Sequence, residues 1–346
     1  MGYGKHLSVL IACPPCTGFS RTLPNNHIMD DPRNSLIRRT ALFVRALKPN
    51  IVVMENVREL IRGKFQHHYE ALISDLNDLG YQVNGKIQML NKLGLPQKRE
   101  RALIIATKKD FQLRTLEDLW KGFIPKPEAT HVWKAIHDLP VVKAGEAHPD
   151  DPMHTSPGIG VGNLRRLQAI PHNGGSWANL IKLQDANVLL TPAMKRYVSV
   201  GDLGSHPDIY GRLAWHRPAV TIKRECAHIG NGRYAHPEQD RLCTVRELSI
   251  LQGFPRNYRF VAPGLSNNYR HIGDAVPPLI SYQLAHVCQW ILNGKRPQIQ
   301  DALLPLSHLR FEDISEDGEI AHEVQLSLSW DNQVSGKKLL AGTTGQ

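Results

Sequence analysis

The first hundred residues predict an α/β fold built on a doubly wound sheet. Two observations carry that expectation: short apolar runs rich in branched residues recur, and stretches of helical spacing lie between them. Leu7–Ala12 and Ile51–Met54 are brief and continuous, as strands buried on both faces tend to be. Between them, Ser35–Leu47 carries Leu36, Ala41, Phe43, Val44 and Leu47 at helical spacing and stops before Lys48-Pro49. Tyr69–Leu79 reads as a second helix, ended by Gly80, and Val83–Leu90 and Leu103–Ala106 follow as strands.

From about Asp110 to Gly264 the periodicity fades and Pro, Gly, His and Asn become frequent. This reads as a second, irregular domain, with Trp133, Trp177, Trp215 and Tyr210 as core material. Leu279–Leu292 is an amphipathic helix after Pro277-Pro278, expected to return to the first domain. The expected division is therefore 1–109, 110–264, 265–296 and an acidic tail at 297–346, partly disordered, in which Leu303–Leu309 has the material to pack.

At 346 residues with 41% apolar content, the chain has ample material for a core. No apolar run approaches the roughly 20 residues that a membrane span needs, and the short run after Lys5-His6 is no signal peptide. A cytoplasmic setting without membrane contact is expected. Five cysteines, an odd number, argue against a disulfide framework. Cys13 and Cys16 form a C-x-x-C, but no second such pair completes a tetrahedral zinc site, so no metal is expected. The net charge of +10, despite an acidic cluster from Glu312 to Glu323, favours a polyanionic partner.

Three stretches carry candidate chemistry. Pro14-Pro15-Cys16-Thr17-Gly18-Phe19-Ser20 follows the first strand directly, at the sheet edge where ligands bind in open α/β folds. Glu55-Asn56-Val57 ends the next strand, so its carboxylate projects toward the same cleft. Gln97-Lys98-Arg99-Glu100-Arg101 precedes Leu103–Ala106. Taken singly, each has a bland reading: a structural cysteine, a solvated strand end, a charged loop.

Together, and in this order, they resemble the C5-cytosine DNA methyltransferases of bacterial and phage restriction–modification type. Asp31–Leu36 resembles the segment between the first two blocks. Arg246–Pro255 and Gly273–Pro278 resemble the last two, and Thr221-Ile222 is similar to the Thr-Leu pair of the target-recognition domain. The resemblance implies a Rossmann-like sheet that binds S-adenosylmethionine, and a monomer that acts on duplex DNA. It makes Cys16 the nucleophile and Glu55, Arg99 and Arg101 its catalytic companions. Pro14, Leu36, Asp274 and Ala275 would line the methyl-donor site. Ser20, Gln97, Thr221, Arg224 and Arg233 would touch DNA. A thiolate added at cytosine C6 activates C5, and positive charge from Arg101 would favour that thiolate.

The chain departs from the family at Thr17, where Gln is usual, and at Asp274, where Asn is usual. It also lacks the Phe-x-Gly-x-Gly turn that opens the family's donor pocket. The expectation is an amino-terminally incomplete sheet with an exposed apolar edge. Two explanations offer themselves: a truncated reading frame, which is favoured, or a second chain that supplies the donor half. The alternatives to a methyltransferase acting on DNA are a silent or partner-dependent DNA-binding half and a tRNA cytosine methyltransferase. The long middle domain speaks against the last.

Overall fold

The computed structural model describes residues 7–15, 18–19, 30–201 and 208–318. The chain forms two compact units: 1–130 with 253–255 and 276–320, and 131–252 with 256–275 and 321–346.

The first unit is built on a four-stranded sheet of order β1-β2-β4-β3, from β1 (Val9–Ala12), β2 (Ile51–Asn56), β3 (Tyr81–Met89) and β4 (Glu100–Lys108). Its core explains the uninterrupted apolar run of β2. Ile51 and Val53 pack on one face with Leu103 and Ile105 of β4, under Leu279, Ile280, Leu284 and Val287 of the helix Pro278–Asn293. Val52 and Met54 pack on the other with Ile104 and Ala106, under α1 (Leu36–Leu47) and the later helix. Between these helices, α2 (Glu59–Arg62) is a single turn, and α3 (His67–Asp78) is the second long one. Helix α1 buries Ile37, Thr40, Ala41 and Val44, the i, i+3, i+4, i+7 stripe of a one-sided helix. Lys48 ends it in the left-handed region and donates its N–H to the Val44 carbonyl at 2.8 Å.

The sheet is mixed, which adds strand direction to the doubly wound α/β fold expected from the strand–helix–strand order. β1 pairs with β2 in parallel, but β4 returns antiparallel between β2 and β3. The reason lies in the connection: only residues 90–99 join β3 to β4, too short for a parallel crossover of a dozen or more residues. Among the described residues β1 is the edge strand, and Ile11 on it is 72% exposed.

The stretch expected as a tail is folded through its first part. Ile299, Ala302, Leu309 and Ile314 are buried in the first unit's core, and Ile314–Gly318 pairs antiparallel with Gly122–Pro125. The rest, from residue 319, lies outside the described residues.

Among the described residues the second unit has little sheet, the hairpin Ala147–His148 with Asp151–Thr155, and its helices are short. Trp177 and Tyr210 are core residues, as expected. Trp133 is not: it is 45% exposed and stacks on His137, one helical turn away. The centre is the helix Val245–Leu251, buried at every position. Its capping box joins Thr244 to Glu247, and Glu247 also accepts two hydrogen bonds from Arg241, both 2.7 Å. Both side chains are 1% exposed. Burial works against a charged Glu247, but the Arg241 bonds and charge outweigh it and hold the carboxyl down to about 2. Beside it, burial holds the His236 imidazole down to about 4, and its Nδ1 accepts from the N–H groups of Glu238 and Gln239.

Glu247→Gln leaves the Arg241 guanidinium buried without its counter-charge and is expected to cost about 3–5 kcal/mol in denaturant unfolding. The wild type should also lose stability on acidification. An unfolded histidine protonates near pH 6.5, whereas native His236 resists down to about 4; an unfolded glutamate protonates near 4.3, whereas native Glu247 resists down to about 2. Both depressed values make stability fall as pH drops, beginning below about 6.5. Urea midpoints between pH 7 and pH 3 check the slope.

Candidate active site

Strand β2 delivers Glu55 and Asn56 to the carboxyl end of the sheet, opposite Leu103 and Ala102 of β4. Because β4 runs antiparallel, its first residues lie at that same end. The guanidinium of Arg101, one residue before Ala102, reaches back to Glu55, with Nε 2.8 Å from Oε1. Both side chains are about one-sixth exposed, at 15% and 16%, so the pair is shielded and still reachable. Arg101 also donates through Nη1 to the Glu100 carbonyl at 2.7 Å, which fixes the plane of the guanidinium. The sequence paired Arg101 with the cysteine; the structure pairs it with the carboxylate.

Asn56 has a role that the sequence reading missed. It is 1% exposed, donates from Nδ2 to the Pro14 carbonyl at 3.0 Å, and accepts the Val57 N–H on Oδ1 at 2.9 Å. A side chain that both donates and accepts in a buried place suits an amide and no carboxylate. It ties the start of the Pro14-Pro15 turn to β2. Past the turn, Gly18 is fixed as well: a Cβ there would fall 2.1 Å from Asn34 Oδ1 and 2.7 Å from Asp31 Cβ. Cys16, Thr17 and Ser20 lie outside the described residues, but the chain on either side of Cys16 is anchored. The other cysteine of the C-x-x-C, Cys13, carries a thiol less ready to ionise than a free one. Desolvation and then the Glu55 carboxylate push the Cys13 thiol above its ordinary value, with a backbone hydrogen bond opposing.

Gln97, expected at DNA, has no exposed surface, and Arg99 is 4% exposed with Nη1 3.5 Å from Gln97 Oε1. Both sit inside the loop that carries Arg101, and the Arg99 carbonyl accepts the Leu90 N–H at 2.9 Å. Their place is that of loop supports.

In the second unit, Arg233 is engaged throughout. Its Nη1 donates to the carbonyls of Gly174, Gly175 and Arg212 at 2.6, 3.0 and 2.9 Å, and its Nε to Asp208 at 3.0 Å. Thr221 is half-buried, and its carbonyl accepts from the Tyr234 hydroxyl at 3.1 Å. Arg224 is 59% exposed, with only long ion pairs to Asp274 at 3.7 Å and Glu225 at 3.9 Å. Gly273 permits the helix Leu265–Asp274 to lie on this segment, since a Cβ there would come within 2.4 Å of the Lys223 and Arg224 backbone.

Of the four residues expected at the methyl donor, Pro14 and Leu36 belong to the first unit and Asp274 and Ala275 to the second. The Pro14 carbonyl is already used by Asn56, and the set has one carboxylate, Asp274, already facing Arg224. A nucleoside ligand with a ribose diol and an amino-acid head needs more polar partners than these.

The family model of C-5 cytosine-specific DNA methylases matches residues 3–290. The chain is 30% identical over 294 residues to the type II methylase M.HgiDII of Herpetosiphon aurantiacus, covering 83% of this chain and 77% of that one. It is 30% identical over 282 residues to the type II methyltransferase M1.BsuMI of Bacillus subtilis (strain 168), covering 81% and 60%. Among solved structures, the Dnmt2 methyltransferase of S. pombe aligns with a TM-score of 0.45 at 17% identity, covering 83% of this chain and 79% of that one. No helix among the described residues is long and apolar enough to cross a membrane.

Asn56→Ala removes the partners of the Pro14 carbonyl and the Val57 N–H, and should cost about 1–3 kcal/mol for each group left unsatisfied. Asn56→Asp keeps an acceptor for Val57 but sets a carboxylate against the Pro14 carbonyl, so it should rescue little. Thermal unfolding of both variants checks this; full rescue by Asp would contradict the brace.

Proposed function

The chain belongs to the C-5 cytosine-specific DNA methylases, and from that premise we propose that it methylates duplex DNA through a covalent bond from Cys16 to cytosine C6. Enzymes of this family take the methyl group from S-adenosylmethionine. The observation that carries the reading is the Asn56–Pro14 bond beside the Glu55–Arg101 pair: it holds the turn before Cys16 at the sheet end where an acid and a cation already stand.

Cytosine C5 is a weak nucleophile until the ring's electrons are pushed toward it. The Cys16 thiolate forms a bond to C6, and the ring electrons shift toward C5 and N3. A protonated Glu55 carboxyl donates its proton to N3 as charge develops there and at the exocyclic amine, and takes it back when the thiolate leaves. Arg101 holds the Glu55 carboxylate in orientation and faces the cytosine O2. Once C5 carries its methyl group, loss of the C5 proton restores the C5–C6 double bond and expels the thiolate. The base must leave the duplex to reach these groups, at a cost of a few kcal/mol of unstacking. Arg224, exposed and weakly paired, is the best-placed of the expected DNA contacts for a phosphate. Thr221 stands near the flipped nucleotide, with Ser20 on the turn itself.

Methyl transfer to duplex DNA, read with radiolabelled S-adenosylmethionine, should vanish in Cys16→Ala and fall about 10²- to 10⁴-fold in Glu55→Gln. Activity surviving in Cys16→Ala would refute the nucleophile. Arg224→Ala should weaken DNA binding across sequences and lower the salt slope by about 1. Filter binding between 50 and 200 mM salt measures it.

A further inference from the structure

Outside the catalytic end of the sheet, three metal-ligating side chains converge on one point. His67 and His68 open α3, and both turn Nε2 toward Asp30: His67 Nε2 stands 3.3 Å from Asp30 Oδ2, and His68 Nε2 stands 2.9 Å from the same oxygen. The three ligand atoms all lie within 4.8 Å of one another. Successive residues on a helix point about 100° apart, so two adjacent imidazoles aimed at one carboxylate oxygen is a specific arrangement. Their ring centroids are 4.1 Å apart.

We infer that Asp30, His67 and His68 form a binding site for one first-row divalent cation of the zinc, cobalt or nickel kind. With metal–ligand bonds of about 2.1 Å, ligand atoms at tetrahedral or octahedral angles stand about 3.0–3.4 Å apart; the 3.3 Å spacing falls within that range and the 2.9 Å spacing lies just below it. Two imidazoles with one carboxylate select such ions over magnesium or calcium, which take oxygen donors. The surroundings act as an outer shell. Asn34 donates from Nδ2 to Asp30 Oδ1 at 2.8 Å, which orients the carboxylate, and Phe19 sets its ring edge against His68, centroids 6.0 Å apart. Asp30 and His67 are 40% and 58% exposed, which leaves an entry path and open positions for water.

The site has a consequence for the catalytic turn. Asn34, which orients Asp30, is the residue that Gly18 packs against, and Phe19, which contacts His68, is the next residue in the chain. A cation held here ties the amino end of α3 to the segment that anchors the far side of the Cys16 turn. Its role is that of a structural clamp, separate from the chemistry at Cys16.

The test is titration of untagged full-length protein with Co²⁺ alone, followed by visible absorbance and calorimetry, with Zn²⁺ as competitor. The expected result is one ion per chain, with affinity lowered at least about 10-fold in His67→Ala, in His68→Ala and in Asp30→Asn. Cys13→Ser, which removes an exposed thiol able to capture metal, should bind as the wild type does. All three ligand positions are at the surface or near it, and far-UV circular dichroism verifies that each variant is folded. Absence of saturable binding in the wild type would overturn the site. So would wild-type affinity in both histidine variants, or loss of binding in Cys13→Ser alone.

Discussion

Asn56 stands where the sheet of the first unit meets Pro14-Pro15, and the geometry of that end of the sheet depends on its two hydrogen bonds. One amide group satisfies the Pro14 carbonyl and the Val57 N–H in a place closed to water. In such surroundings each unmade bond costs more than a made one gains, so the turn has one position in which all these groups are satisfied. The neighbouring Glu55 inherits that position because it is the preceding residue of the same strand. Arg101 reaches it because β4 starts where β2 ends. Glu55 and Arg101 are thus set by strand register, and the loops supply what register does not reach.

The second unit solves a different problem. It has little sheet and few long helices, and its organisation comes from buried arginines. Arg212, with no exposed surface, donates to the carbonyls of Leu167, Ile170, His236 and Gln239. Arg241 and Glu247 lock the start of the central helix. Planar guanidinium groups that bind several carbonyls at once can fix irregular chain segments where ladders of backbone bonds are missing. Such a unit presents loops and exposed side chains such as Arg224 on a fixed base.

Much of this was legible in the sequence. The helices at Ser35–Leu47, Tyr69–Leu79 and Leu279–Leu292 are observed at Leu36–Leu47, His67–Asp78 and Pro278–Asn293, because their apolar spacing matched the face they bury. The strand direction of β4 was not legible from Leu103–Ala106, since an apolar run buried on both faces reads alike in either direction. The order of the blocks brought Glu55 and Arg101 together in expectation, but for a different purpose: the ion pair is a fact of antiparallel register. Burial also separated residues that look alike in sequence. Gln97 is enclosed and Arg233 is tied to three backbone carbonyls, whereas Arg224 is open, and nothing in their immediate neighbours announces the difference. Trp133 was misplaced because an aromatic on a short helix finds a stacking partner as readily in His137 as in a core.

The central claim is that Cys16, and not Cys13, bonds to the cytosine ring. The most direct measurement is peptide mapping by mass spectrometry after reaction with duplex DNA in which the target cytosine carries fluorine at C5, in the presence of S-adenosylmethionine. Fluorine cannot leave as a proton does, so the adduct should persist, and it should map to Cys16. An adduct on Cys13, or methyl transfer to ordinary duplex without any adduct on the fluorinated one, would contradict the account.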